Sequence, residues 1–158
     1  MATFTAVHVG LSLIGILTGI IALIGFLTRS RLTTWNAVFL ATTALTSLTG
    51  YGFPFERLLP SHIVGALSLV VLAIAAFARY GRQLAGGWNR TYVVTATFAL
   101  YFNVFVLVVQ SFMKVPALHD LAPTQSEPPF AVAQLIVLLI FVVAGASAFV
   151  RARQPVAR

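Results

Sequence analysis

The chain has 158 residues, of which 59% are hydrophobic and only 8% are charged; its formal net charge is +7 and it has no cysteine. A soluble domain of this length would have too few polar residues to cover its core, so the composition indicates an integral membrane protein. The lack of cysteine excludes disulfides, thiolate metal sites, iron–sulfur clusters and cysteine nucleophiles.

Five long apolar runs follow one another along the chain, and their only charged residue is Arg79 at the edge of the third. Each run has about the 20 residues that a helix needs to cross a hydrocarbon core of about 30 Å. Runs of this length without period-two alternation favour helices over a membrane barrel. The sequence therefore predicts an all-α integral membrane protein with one domain, 1–158, and transmembrane helices at 4–28, 35–53, 62–80, 91–113 and 129–150.

The basic residues predict the orientation of these helices. Eight of the ten fall in the links after the first and third helices or in the C-terminal tail: Arg29, Arg31, Arg79, Arg82, Arg90, Arg151, Arg153 and Arg158. The positive-inside bias then places the N-terminus outside and the C-terminus in the cytoplasm. Basic residues scattered over short links favour contact with anionic lipid and argue against nucleic-acid binding. The small size and short links predict a bacterial inner membrane.

A faint internal repeat relates the first two helices to the next two. A shift of 53 residues matches Trp35-Asn36 with Trp88-Asn89 and Arg29 with Arg82. Two parallel hairpins and an added fifth helix would produce this pattern, as in some transporter folds. Chance similarity between apolar helices is the competing interpretation.

Two histidines stand near the predicted outer ends of the first and third helices. His8 continues along its helix face into Gly15 and Gly19, a small-residue stripe that lets another helix, or another subunit, approach closely. If His8 and His62 face one axis, they could ligate a b-type haem or a metal. A histidine near a helix start can instead be satisfied by a carbonyl or a headgroup, so an interfacial role is the alternative.

Polar side chains mark one face of the fourth helix. Asn103 and Gln110 lie on this face, and Gln134 enters the fifth helix at a comparable outer depth, so these three residues are expected to line a polar pocket. The alternative is that each amide only hydrogen-bonds a neighbouring helix.

No established catalytic motif occurs in the sequence. We therefore expect a protein without catalytic activity, acting as an accessory or ligand-binding subunit of a membrane assembly, with a polar pocket near the outer face. One alternative is an electron-transfer protein that holds haem b, or interacts with quinone, through His8 and His62. The other is a small transporter.

Overall fold

The computed structural model describes residues 2–30, 32–53 and 60–152, and no strand forms within these ranges. Helices account for nearly all of them. The helices are α1 (Ala2–Thr28), α2 (Thr33–Gly50), α3 (Pro60–Ala76), α4 (Trp88–Lys114), the short α5 (Pro116–His119) and α6 (Pro128–Arg151); α3 passes directly into a π-helical turn over Phe77–Gly81.

Four helical segments are long and apolar enough to cross a membrane: Ala2–Thr28, His62–Gly81, Trp88–Lys114 and Pro128–Arg151. For the described residues, this confirms the prediction of a helical protein with segments apolar enough to span a membrane. α2 has 18 residues, which is about 27 Å of helix, and its threonines make it less apolar than the other four. The fifth predicted crossing therefore stays a prediction.

Several helix boundaries differ from those predicted. α3 and α6 begin at Pro60 and Pro128, because proline fits the first helical position, where an N–H has no intrahelical partner. α2 ends at Gly50 rather than at residue 53, since the N–H groups of Tyr51 and Gly52 turn back to the carbonyls of Leu48 and Thr49. An apolar run can thus continue past the end of its helix.

α4 lies at the centre of the packing. It contacts α1, α2, α3 and α6, while α1 packs most extensively against α2. Small and aromatic residues from four helices alternate in the buried core, which includes Ala22, Phe39, Leu72, Ala75, Tyr92, Ala96, Ala99 and Leu100. Interfaces between helices in lipid depend on such close packing, because lipid tails are as apolar as the side chains.

The small-residue stripe of α1 faces the interior of the bundle. A methyl group at Gly19 would lie 2.5 Å from Leu100 Cδ1 and 2.8 Å from Phe39 Cε2. At Gly15 it would lie 3.1 Å from Thr43 Oγ1. α2 and α4 of the same chain therefore occupy this stripe, and self-association through Gly15 and Gly19 stays a prediction.

The outer surface is apolar, as expected for contact with lipid. Ala148 is the one buried residue among those of α6, and Val143 is 67% exposed. α1 also exposes large side chains on the side away from α2 and α4, including Leu17 at 62%.

Candidate functional site

The first predicted site residue, His8, joins α1 to the end of α2. Its Nδ1 lies 2.9 Å from the Thr49 hydroxyl oxygen, and the edge of its ring meets Phe53 with centroids 5.1 Å apart. The ring is half-buried. These contacts satisfy one ring nitrogen within the protein.

His62 lies against a different residue of the same helix end. It is buried, with 7% of its surface exposed. Tyr51 stacks at a tilt on its ring, at 5.7 Å between centroids, and the Tyr51 hydroxyl donates a 2.7 Å hydrogen bond to the His62 carbonyl. In the described part of the chain, no group of three or more His, Cys, Asp or Glu residues could hold a metal ion. A ligand shared by His8 and His62 stays a prediction.

The three predicted pocket amides have different surroundings. Asn103 Nδ2 donates to Thr43 Oγ1 at 3.1 Å, which joins α4 to α2. Gln134 Nε2 donates to the Phe105 carbonyl at 3.2 Å, which joins α6 to α4. The side-chain oxygens of Gln110 and Gln134 are buried without a hydrogen-bond partner. A buried acceptor of this kind calls for a water or a ligand donor, so the polar pocket near these two glutamines stays a prediction.

A large cavity lies at the opposite end of the bundle, where α1, the π-helical turn and α6 end and where α2 and α4 begin. Its volume is about 680 Å³. We call it the basic cavity because three arginines line it, with polar and aromatic side chains between them. Its lining includes Arg29, Arg79, Arg151, Asn36, Asn89, Tyr80, Tyr92, Phe26, Val93 and Ala152.

Arg79 is held in the wall of the basic cavity by aromatic rings. Its guanidinium carbon lies 5.3 Å from the centroid of Tyr92 and 5.7 Å from that of Tyr80, within the range of cation–π attraction. Nη2 makes a long 3.5 Å contact with the Thr33 carbonyl. Its Nε is buried without a hydrogen-bond partner. A charged group thus keeps one buried donor without an acceptor.

The polar residues behind Arg79 are tied together. The Tyr92 hydroxyl donates to Asn36 Oδ1 at 2.5 Å, and Asn36 Nδ2 donates to the Leu32 carbonyl at 2.7 Å. Across the cavity, Asn89 Nδ2 donates to the Ala152 carbonyl at 3.1 Å. These bonds connect the starts of α2 and α4 to their neighbours and fix the shape of the cavity.

Acidic residues are absent from the described residues at the end with the basic cavity. There, residues 29, 30, 32, 77–90, 151 and 152 include arginines but neither Asp nor Glu. Asp120 and Glu127 lie between α4 and α6 at the other end, and Glu56 falls outside the described residues. Positive charge beside a region of low dielectric attracts anions strongly.

Two features of the sequence relate to this cavity. Arg79 stands at the edge of an apolar run, a position that was interpreted only as an indicator of orientation. Asn36 and Asn89 occupy matched positions in the predicted repeat, each directly after a tryptophan, and both line the cavity. Comparisons of the chain with protein-family models, with curated proteins and with solved structures found no match.

Proposed function

We propose that this protein is an integral membrane subunit without catalytic activity that binds an anionic ligand in the basic cavity, as an accessory component of a membrane assembly in a bacterial inner membrane. The observation that carries the proposal is the basic cavity itself. Its volume of about 680 Å³ falls within the roughly 300–1,000 Å³ typical of small-molecule sites. Its lining combines aromatic residues with three arginines, and the sequence contains no catalytic motif.

The proposal includes five membrane crossings, with the N-terminus outside. α2 supports this count because it lies antiparallel along α1: His8 bonds to Thr49, Gly15 faces Thr43, and Gly25 faces Leu32. A helix that follows a membrane-spanning partner over this length crosses with it. The basic cavity would then open toward the cytoplasmic leaflet. A reporter that is active only in the periplasm, fused after Arg158, should be silent, and activity of this fusion would reverse the orientation.

Pairing of the helices also supports the proposed repeat. α1 packs chiefly on α2, and α3 packs chiefly on α4, so each hairpin of the repeat is a packing unit. The matched residues Asn36 and Asn89 both reach the basic cavity. A duplicated hairpin would place equivalent residues around one site.

Ligand binding can be tested by filling the cavity. Native mass spectrometry of the purified protein should detect a bound anionic lipid or small molecule, and Ala152→Trp should remove it because Ala152 lines the cavity. Ala85→Trp is the matched control, since Ala85 is exposed at the same end and does not appear in the lining. Loss of the bound mass from both variants, or its absence from the wild-type protein and from samples supplied with anions, would refute the proposal.

A further inference from the structure

The basic cavity has more cationic donors than a single carboxylate could use. Arg79, Arg151 and Arg29 line it from the π-helical turn, from the end of α6 and from the residue after α1, so three separate segments each contribute an arginine. A carboxylate has two oxygens with about four lone-pair sites, of which one guanidinium fork uses two. A phosphate monoester has three terminal oxygens and a charge of about −1.5 to −2 at neutral pH, so it can accept from several forks at once.

The surroundings of Arg79 also favour phosphate binding. The rings of Tyr80 and Tyr92 lie against its guanidinium group and restrict its orientation, and its Nε is buried without a hydrogen-bond partner. A planar fork held in one orientation before a ligand arrives loses little freedom on binding. A phosphate in the cavity could accept from the terminal N–H groups of this fork.

We infer that the basic cavity binds a phosphate group, with Arg79 as the principal donor and Arg151 as a second; this inference rests on the proposed function. The cavity is far larger than a phosphate ion, so the phosphate belongs to a larger molecule. Either phosphatidic acid of the adjacent leaflet, whose headgroup is a phosphate monoester, or a soluble phosphorylated compound would present it. Apolar side chains such as Phe26 and Val93 in the lining would contact the remainder of that molecule.

The experiment measures thermal unfolding of the full chain in nanodiscs. In discs of phosphatidylcholine alone, inorganic phosphate is added and compared with succinate at equal ionic strength. In a second series, phosphatidic acid, a lipid phosphate monoester, replaces part of the phosphatidylcholine. Because a ligand that binds only the folded state stabilises it, an increase in the unfolding temperature reports binding. An increase with phosphatidic acid alone identifies a lipid source, and an increase with inorganic phosphate in discs of phosphatidylcholine identifies a soluble one.

Variants at matched positions distinguish phosphate binding at a specific site from nonspecific attraction to the net positive charge. Arg79→Gln should weaken the apparent affinity about tenfold or more, as expected when a charged hydrogen bond is lost. Arg79→Lys should recover only part of it, since lysine lacks the fork. Arg82→Gln removes the same charge from the same segment, but Arg82 is exposed and lies over Trp88, so it should behave as the wild type. If Arg79→Gln does not fold, the same measurement is made on Arg151→Gln, because Arg151 is exposed and is the second proposed donor.

Three results would overturn the inference. The first is no stabilisation by either phosphate source. The second is an equal loss in Arg79→Gln and Arg82→Gln, which would reduce the effect to net charge. The third is stabilisation by succinate as strong as that by phosphate and equally dependent on Arg79; the proposed anion site would then stand, and its assignment to phosphate would fail.

Discussion

The close approach of three helices at Gly19 allows a stability prediction with an internal control. Gly10 and Gly19 lie in the same helix, α1, so replacing each with alanine makes the same chemical change. A methyl group at Gly10 meets nothing within 4 Å, whereas at Gly19 it meets Leu100 Cδ1 at 2.5 Å and Phe39 Cε2 at 2.8 Å. The two variants therefore differ in packing and share the gain in helix propensity.

The expected change in the free energy of unfolding follows from two opposing contributions. Alanine is favoured over glycine in a helix by about 1 kcal/mol at either position. At Gly19 the added methyl must displace Leu100 and Phe39, each 1% exposed and therefore enclosed by neighbours, and overpacking of a filled core costs about 1–3 kcal/mol. Gly10→Ala should thus be neutral or stabilising, and Gly19→Ala should be less stable than Gly10→Ala by about the overpacking cost.

Reversible unfolding in mixed detergent micelles would measure both free energies of unfolding. A larger pair extends the series: Gly19→Leu should disrupt the bundle, while Ile20→Leu should change little because Ile20 is 42% exposed on the lipid-facing side. Equal free energies of unfolding for Gly10→Ala and Gly19→Ala would refute the close approach of α2 and α4 to Gly19.

Three further predictions concern single side chains. Tyr92→Phe leaves the buried Asn36 Oδ1 without its donor, so unfolding measurements should show a loss of about 1–3 kcal/mol, and an unchanged stability would contradict this hydrogen bond. If His8 and His62 ligate haem b, the purified protein has a Soret band that His8→Ala and His62→Ala each abolish; a featureless wild-type spectrum excludes the haem. Desolvation alone would raise the pKa of the Glu127 carboxyl, but hydrogen bonds from its own backbone and from Thr124 and Ser126 hold this pKa below its ordinary value. The stabilisation of the loop by these bonds should therefore be present above the ordinary glutamate pKa and lost as the pH falls through the lowered one, and amide exchange of the loop that is the same in Glu127→Gln would contradict this.

Much of the helical architecture could be predicted from the sequence because lipid imposes one simple rule on the backbone: long apolar segments must satisfy their own hydrogen bonds. This rule predicts that helices form, but it does not predict where each helix ends. Gly50 stops α2 within an apolar run, and Phe77–Gly81 continues α3 in a different helical form. Neither change alters hydropathy, so neither is visible in an apolar profile.

The sites were harder to predict because they depend on the register between helices. His8 meets Thr49, 41 positions away in the chain, and only the offset between α1 and α2 decides this pairing. The basic cavity is assembled from three stretches of the chain, within 25–36, 79–93 and 151–152, so the proposed role of Arg79 emerges only when these stretches come together. Segregation of charge was readable in the sequence, but the same arginines equally indicate topology.

The π-helical turn at Phe77–Gly81 has a consequence for how this chain can vary. Its hydrogen bond from Arg82 N to Phe77 O spans five residues, one more than in an α-helix, so the turn contains an extra residue within a continuous helix. Removal of one residue here would restore ordinary α-helical winding and leave a helix that is still long enough to cross the bilayer. Every side chain beyond the deletion would rotate by about 100° relative to α3, and an arginine at this place would point in a new direction. Insertions and deletions at this turn are therefore a route by which related chains could gain or lose the cavity's charge while keeping all of their helices.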